Sequence, residues 1–371
     1  MHLTSLSFAY PDVPADERAG ILQPEQPTGS TGPDAFFLAT CLRVEIAWQG
    51  GHEIAPVVLE DLFGPGPLPT PKMRTDLDGF LHLCRVAAGL ESAPVGEAEV
   101  LSQFKDAVER LAVTGRAGAQ LLTTLENAIG VARATRKALG GDGKVSLAGA
   151  AARLVESREQ VIVLGGGAMA RAVVRALNRS DLSVFARRPM PVAGHPPRPW
   201  DGLARALESC SAVVSTVPGP VPALQGLDGG SDVVVVDLGM PPAASRLELE
   251  GTYRYHGVDQ VAATVESAPE PAAEEIVIIE AERAWGRLSV SDRAGHLITS
   301  IVDRVERTVD EEIRRFAGRL PGASDPEPVL RQLAHTVARR IVHPSISLLG
   351  STPLEPAFLE IIARGLGVAD E

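Results

Sequence analysis

Cys41 and Arg43, within the run Phe36-Phe37-Leu38-Ala39-Thr40-Cys41-Leu42-Arg43-Val44-Glu45-Ile46, bring a thiol and a guanidinium close together. Residues two apart in an extended segment project to one face. There Arg43 could lower the thiol pKa, making Cys41 a nucleophile, or hold a substrate carboxylate. A free cysteine in apolar company is more commonly a small buried hydrophobe, and the local residues alone favour that reading without closing the other. The second stretch with chemical content is Gln160 to Leu177, QVIVLGGGAMARAVVRAL. Four apolar residues, Val161 to Leu164, lead through Gly165, Gly166 and Gly167 into a helical pattern with Met169, Val173, Val174 and Leu177 on one side. This reads as strand, tight turn and helix. Glycines let the backbone approach a diphosphate, and the helix N-terminus behind them offers free N–H groups. Ala168, Met169 and Ala170 complete the fingerprint, with Ala170 where a third glycine often stands. About twenty residues on, the next apolar run, Leu182 to Phe185, ends at Ala186, Arg187 and Arg188. No carboxylate is there for a ribose 2′-hydroxyl, whereas two guanidiniums suit a 2′-phosphate. NADPH is therefore expected rather than NADH.

Other positions could join either site. The buried β runs Ala212 to Ser215 and Val233 to Val236 place Thr216, Pro218, Asp237 and Gly239 at strand ends, where a parallel sheet holds its ligand, although plain strand-end turns account for them equally. His82 lies between Leu81 and Leu83 inside a helical pattern, the ordinary setting of a structural histidine. Gly89 to Glu97 interrupts that pattern with two glycines and a proline, a loop that could close over a site. Arg331, His335, Arg339, Arg340 and His343 cluster near the C-terminus and could touch RNA phosphate, or form a solvated face.

The elements that must position these residues follow from pattern and length. A chain of 371 residues exceeds one core, so two or three domains are expected. The segments HLTSLSF and RVEIAW read as strands, and Pro71 to about Leu139 reads as helices that cover them. Turn residues at 140 to 144 mark a boundary near 143, after which Ser146 caps the helix LAGAAARLV. PEPAAEE at 269 to 275 reads as a hinge, followed by a long amphipathic helix with Ile298, Ile301, Val305, Val309, Ile313, Phe316 and Leu320 on its stripe. Such a stripe requires a partner, and a homodimer is expected. Net charge −12 argues against general nucleic-acid affinity, though a local basic face could serve one RNA. No apolar span or leader pattern indicates a membrane or secretion, and three cysteines without metal spacing suit the cytoplasm.

Taken together, the motifs resemble the glutamyl-tRNA reductase family nearly end to end. LATCLRVEI resembles its catalytic segment, HLCRVAAGLESAPVGEAEVLSQFKDA its substrate pocket and VIVLGGGAMARA its NADPH turn; VVVVDLGMPP, YHGVDQV and ARRIVHPSI follow in family order. The resemblance implies an α/β fold class: an N-terminal α+β catalytic domain over 1–143, a Rossmann NADP-binding domain over 144–267 and a C-terminal helical dimerisation domain over 268–371. It implies that Cys41 attacks the ester of glutamyl-tRNA, that the resulting thioester is reduced at the expense of NADPH, and that His82 assists proton transfer. Thr40, Arg43, Ser92, Glu97, Glu99 and Gln103 would surround the glutamyl group. Arg187, Arg188, Thr216, Asp237 and Gly239 would join the glycine turn around the cofactor. An aminomutase would receive the aldehyde. The chain departs from the pattern in four respects: Leu42 replaces an asparagine, Glu99 replaces a glutamine, the family's usual histidine and arginine have no clear counterpart near Tyr10 to Arg18, and the loop at 140 to 144 is shorter. Leu42 and Glu99 support an alternative, a divergent NADP-dependent reductase acting on another acyl donor. A non-catalytic scaffold would need neither Cys41 nor the glycine turn, and a plain dehydrogenase would leave the long helix unused. Because Cys41 and the glycine turn belong to different domains, domain closure is expected.

Overall fold

The computed structural model describes residues 2–22, 34–115, 117–138, 146–225, 233–244, 254–265, 267–317 and 325–351. Two compact units emerge, Met1–Ser289 and Val290–Glu371. The first contains both sheets. Strands β1 (Leu3–Ala9), β2 (Ala35–Ala39), β3 (Arg43–Gln49) and β4 (Lys72–Thr75) form an antiparallel sheet in the order β2-β3-β1-β4. Alternation along β1 and β3 sends Leu6, Phe8, Val44, Ile46 and Trp48 to one face, where they pack with Val58 of α2 (Ala55–Phe63). Leu3, Phe36, Leu38 and Ala47 go to the other face, beneath α3 (Asp76–Ala88), α4 (Ala98–Val113) and α5 (Ala119–Ala138).

That helix-covered face also carries polar residues. The register pairs Ser7 with Glu45 and Lys72, Ser5 with Arg74, and Ala9 with Arg43. Directly opposed residues share a face, so a stripe of charge runs beneath the helices. Buried charge is expensive unless it is paired, and here the pairing builds the site.

The second sheet is parallel, in the order β6-β5-β7-β8-β9. Its strands are β5 (Val161–Leu164), β6 (Ser183–Phe185), β7 (Ala212–Ser215), β8 (Val234–Asp237) and β9 (Arg254–Gly257). Helices α6 (Leu147–Val155), α7 (Ala168–Leu177) and α10 (Val258–Ala263) cover one side; α8 (Leu203–Leu207) and α9 (Pro222–Gln225) belong to the other. The first three strands are buried along their length except for Ser183, as strands covered on both faces require. The chain reverses its direction of winding between β5 and β7, which is where such sheets receive ligands. Ser146 caps α6 as expected, accepting the Gly149 amide at 3.1 Å.

Helix α11 (Pro271–Ala317) is 47 residues long, and α12 (Glu327–Ser351) follows it. The run expected as a hinge instead supplies the first turn of α11, where the missing N–H of Pro271 costs no helix bond. Ala273, Val277, Ala281, Ala284 and Leu288 join the core under α3, and Trp285 lies 5.6 Å from Phe80 between ring centroids. In the second unit Arg340 pairs with Glu311 at 3.0 Å and Glu312 at 2.8 Å. Ile301, Ile313, Leu330 and Val342 remain exposed. The boundary near 143 and Leu320 lie outside the described residues. No helix among the described residues is long and apolar enough to cross a membrane.

Candidate active site

Glu45 is the centre of the buried polar stripe. Its Oε1 accepts the Ser7 hydroxyl at 2.9 Å and an Arg43 N–H at 3.2 Å, and Oε2 lies 2.9 Å from His82 Nε2. Burial pushes this carboxyl up, but His82, Arg43 and Ser7 together hold it below its usual value. An ionised Glu45 fixes the imidazole with its proton on Nε2. Nδ1 is buried and without a partner. The second terminal nitrogen of Arg43 donates to the Glu91 carbonyl. A cavity of about 230 Å³ opens beside this cluster, lined by Arg43, His82, Ser92, Lys72 and Arg74 among others. Lys72 pairs with Asp12 at 2.6 Å, whereas Arg74 leaves Nη1 buried and unsatisfied.

Cys41 is near this cluster in sequence but differs from the extended geometry expected. It sits in the bend joining β2 to β3, which the Thr40 amide closes by donating to the Arg43 carbonyl at 2.9 Å. The Leu42 amide donates to Thr40 Oγ1 at 3.3 Å. The thiol is pushed up to about 12 by burial and by the Glu97 carboxylate, which outweigh the opposing charges of Arg18 and Arg43. The expected lowering of the thiol pKa is therefore reversed, because desolvation disfavours the thiolate more than the arginines favour it. Glu97 precedes α4, and burial followed by the charge of Glu99 raises it to about 7. Of the expected substrate residues, Arg43 and Ser92 line the cavity with His82; Thr40, Glu97, Glu99 and Gln103 do not, nor does Cys41. Leu42 and Cys41 pack instead into the core of the parallel sheet, beside Val258, Val261 and Met240. The apolar residue in the place of asparagine thus fills a seam.

At the glycine turn, each glycine has its own constraint. Gly165 has φ +122°, and a Cβ there would lie 2.3 Å from Thr216 Oγ1. That hydroxyl and the Thr216 amide both donate to the Leu164 carbonyl at 2.9 Å, locking β5 to β7. A Cβ on Gly166 would meet Ala186 at 3.3 Å, while one on Gly167 would meet nothing within 4 Å. Gly167 caps α7; Ala168 and Met169 form its first turn, and Ala170 is fully buried. Arg187 and Arg188 lie exposed just beyond β6. Asp237 points into its own loop: its oxygens accept the amides of Gly239 at 3.0 Å, Ala243 at 2.7 Å and Ala244 at 3.3 Å. Burial raises its carboxyl to about 6 despite these donors. A Cβ on Gly239 would come within 2.2 Å of the Val217 carbonyl, so the loops after β7 and β8 interlock.

Glu45, Arg74, Arg18 and Asp259 stand at the site without having been expected from the sequence. Glu45 had a signal, since it alternates with Arg43 in a strand otherwise apolar up to Gln49. The other three depend on pairings between remote segments.

Sheet order, glycine turn and a thiol-bearing α+β domain define an oxidoreductase built on a nucleotide-binding sheet. The description "Glutamyl-tRNAGlu reductase, N-terminal domain" matches residues 16–139. "Glutamyl-tRNA reductase 2" of Anaeromyxobacter sp. is 30% identical, across 72% of this chain and 70% of the relative. The glutamyl-tRNA reductase of Halorhodospira halophila is 28% identical, across 86% and 79% respectively. The solved glutamyl-tRNA reductase from Methanopyrus kandleri matches with a TM-score of 0.49 and 22% identity, covering 95% of each chain. The chain belongs to the glutamyl-tRNA reductase family, whose members are oxidoreductases.

Proposed function

We propose that this chain reduces glutamyl-tRNA to glutamate-1-semialdehyde with NADPH, the first step of tetrapyrrole synthesis, through a thioester on Cys41. The observation that carries the reading is the packing of the Cys41 bend against the core of the nucleotide-binding sheet. A thiol in that place can receive an acyl group and present it to a cofactor held at the glycine turn. The Cys41 sulfur attacks the ester carbonyl, the tRNA leaves through its ribose oxygen, and the enzyme keeps a glutamyl thioester. A thioester is much easier to reduce than an oxygen ester. Gly165 to Ala170 would hold NADPH, and the chemistry it would supply there is a hydride for the thioester carbon. The C–S bond then breaks, giving the aldehyde and the free cysteine.

The chain's own groups divide the proton work. Burial and the charge of Glu97 hold the Cys41 thiol up, so its proton must leave as the sulfur attacks, and Glu97 belongs to the proposed substrate set. His82, oriented by Glu45, lines the cavity and is assigned the proton transfer to the departing ribose oxygen. Arg43 and Ser92 line the space for the glutamyl group, and Thr40, Glu99 and Gln103, which do not line that cavity, are assigned to substrate binding on the family resemblance alone. Arg187 and Arg188 take the 2′-phosphate of NADPH, and Thr216, Asp237 and Gly239 shape the cleft. The exposed stripe of the second unit pairs two chains as a homodimer. An aminomutase that accepts the reactive aldehyde is the expected partner, and the free thiols suit the cytoplasm.

Incubation with glutamyl-tRNA and NADPH tests the reading. The wild type should form semialdehyde, and Cys41→Ser should form neither aldehyde nor acyl-enzyme. Failure of the wild type to consume glutamyl-tRNA while still binding NADPH would overturn it. For the cofactor, Arg187→Ala combined with Arg188→Ala should weaken NADPH far more than NADH; equal losses would refute the phosphate assignment.

A further inference from the structure

We infer that Arg18 is a positioning residue for the reduction step, tying the Cys41 bend to Asp259 and so fixing the thioester against the nucleotide-binding sheet. The inference rests on the function proposed above. Arg18, on the short helix α1 (Ala15–Ile21), is fully buried. A guanidinium in such a place must find acceptors for its charge to be tolerated. It has three: the Val13 carbonyl, the Cys41 carbonyl at 3.1 Å and Asp259 Oδ1 at 2.5 Å. The last two bonds come from the same nitrogen, Nη2. The backbone of the nucleophile and a carboxylate 218 residues later in the chain therefore meet at a single atom.

Asp259 strengthens the bracket from its other oxygen. Oδ2 accepts the Ala15 amide at 2.8 Å, one of the N–H groups that the start of a helix leaves free. Asp259 itself belongs to α10, which follows the edge strand β9 of the parallel sheet. Around the polar bracket, Tyr10, Ala15, Leu42 and Ala93 pack with Val258 and Val261, and the Ser267 amide donates to the Ala93 carbonyl at 3.2 Å. Arginine is suited to the task because its planar fork stays charged at any working pH.

The two half-reactions depend on this link differently. Acyl transfer to Cys41 uses groups of the N-terminal sheet and its helices. Hydride transfer also needs the sulfur at a fixed place relative to the parallel sheet. A displacement of about 1 Å at a reacting centre can cost about a hundredfold in rate.

Asp259→Asn and Arg18→Lys test the assignment, with tRNA release measured without NADPH and aldehyde formation measured after its addition. Both variants should form thioester at near the wild-type rate and keep the KM for glutamyl-tRNA, yet reduce the thioester about ten- to a hundredfold more slowly. Arg18→Met should be worse than Arg18→Lys. Equal losses in both steps, or no loss in either, would overturn the proposal. Asp259 has a side chain 27% exposed, so Asp259→Asn keeps the test available if the arginine variants fail to fold. Alkylation of Cys41 by iodoacetamide, followed by mass spectrometry, reads the link without turnover: it should be faster in Asp259→Asn than in the wild type, and an unchanged rate would refute the bracket. A wild type that forms no thioester sinks the proposed reaction alone, leaving the alkylation result to judge the bracket.

Discussion

Glu45 keeps its charge in a place without water because three neighbours answer its two oxygens. Glu45→Gln leaves Arg43 buried with one partner fewer, and removal of one member of such a pair costs about 3–5 kcal/mol. Denaturant titration at neutral pH should show that loss. Because the folded carboxyl sits below its usual value, its contribution is complete above the unfolded pKa and disappears as pH falls through the folded one. The difference between wild type and Glu45→Gln should therefore shrink on acidification. Glu97 behaves oppositely. Raised from 4.5 to about 7, it costs stability as pH climbs through that interval. Glu97→Gln should gain up to about 3 kcal/mol at pH 8 relative to pH 4, seen as a pH-dependent rise in melting temperature; a gain equal at both pH values would contradict the assignment. The thiol's company was only partly legible in the sequence. Arg43 at two residues' distance could be read there, but burial and Glu97, which govern the thiol, come from chain folded over it.

The glycine turn separates requirements of folding from requirements of binding. At Gly165 a side chain would collide with Thr216 and need a left-handed φ, so Gly165→Ala should lower stability as well as cofactor affinity. At Gly167 the chain leaves the space open. Gly167→Ala should melt close to wild type while weakening NADPH in a fluorescence titration, because only the diphosphate meets the new methyl; undiminished affinity would place the cofactor elsewhere. This strand–turn–helix was legible because its demands are local and apolar. Strands β4 and β9 were not. KMRT and RYHG are four-residue edge strands without alternation of apolar residues, and only pairing with β1 and β8 defines them. The helix expected from Pro71 onward therefore begins only at Asp76, after the strand Lys72–Thr75.

Within the molecule as a whole, the long helix leaves Ile301 51% and Ile313 48% exposed on its stripe in the second unit, while Phe316 of the same stripe is buried. If that stripe joins two chains, Ile301→Glu with Ile313→Glu should halve the mass found by light scattering without altering NADPH binding. An unchanged mass would remove the stripe from the interface. The long helix was legible from its spacing, but its start within the proline-rich run was not, since proline both opens helices and breaks them. The seam around Leu42 has a consequence for how such a protein can be recombined. The hydrophobic cluster that includes Tyr10, Leu42 and Ala93 is completed by Val258 and Val261. A nucleotide-binding half borrowed from another reductase would bring different residues to that seam and leave Leu42 against water or a mismatched wall. The two sheets of this chain are thus heritable as one piece, and any graft must carry both sides of the cut.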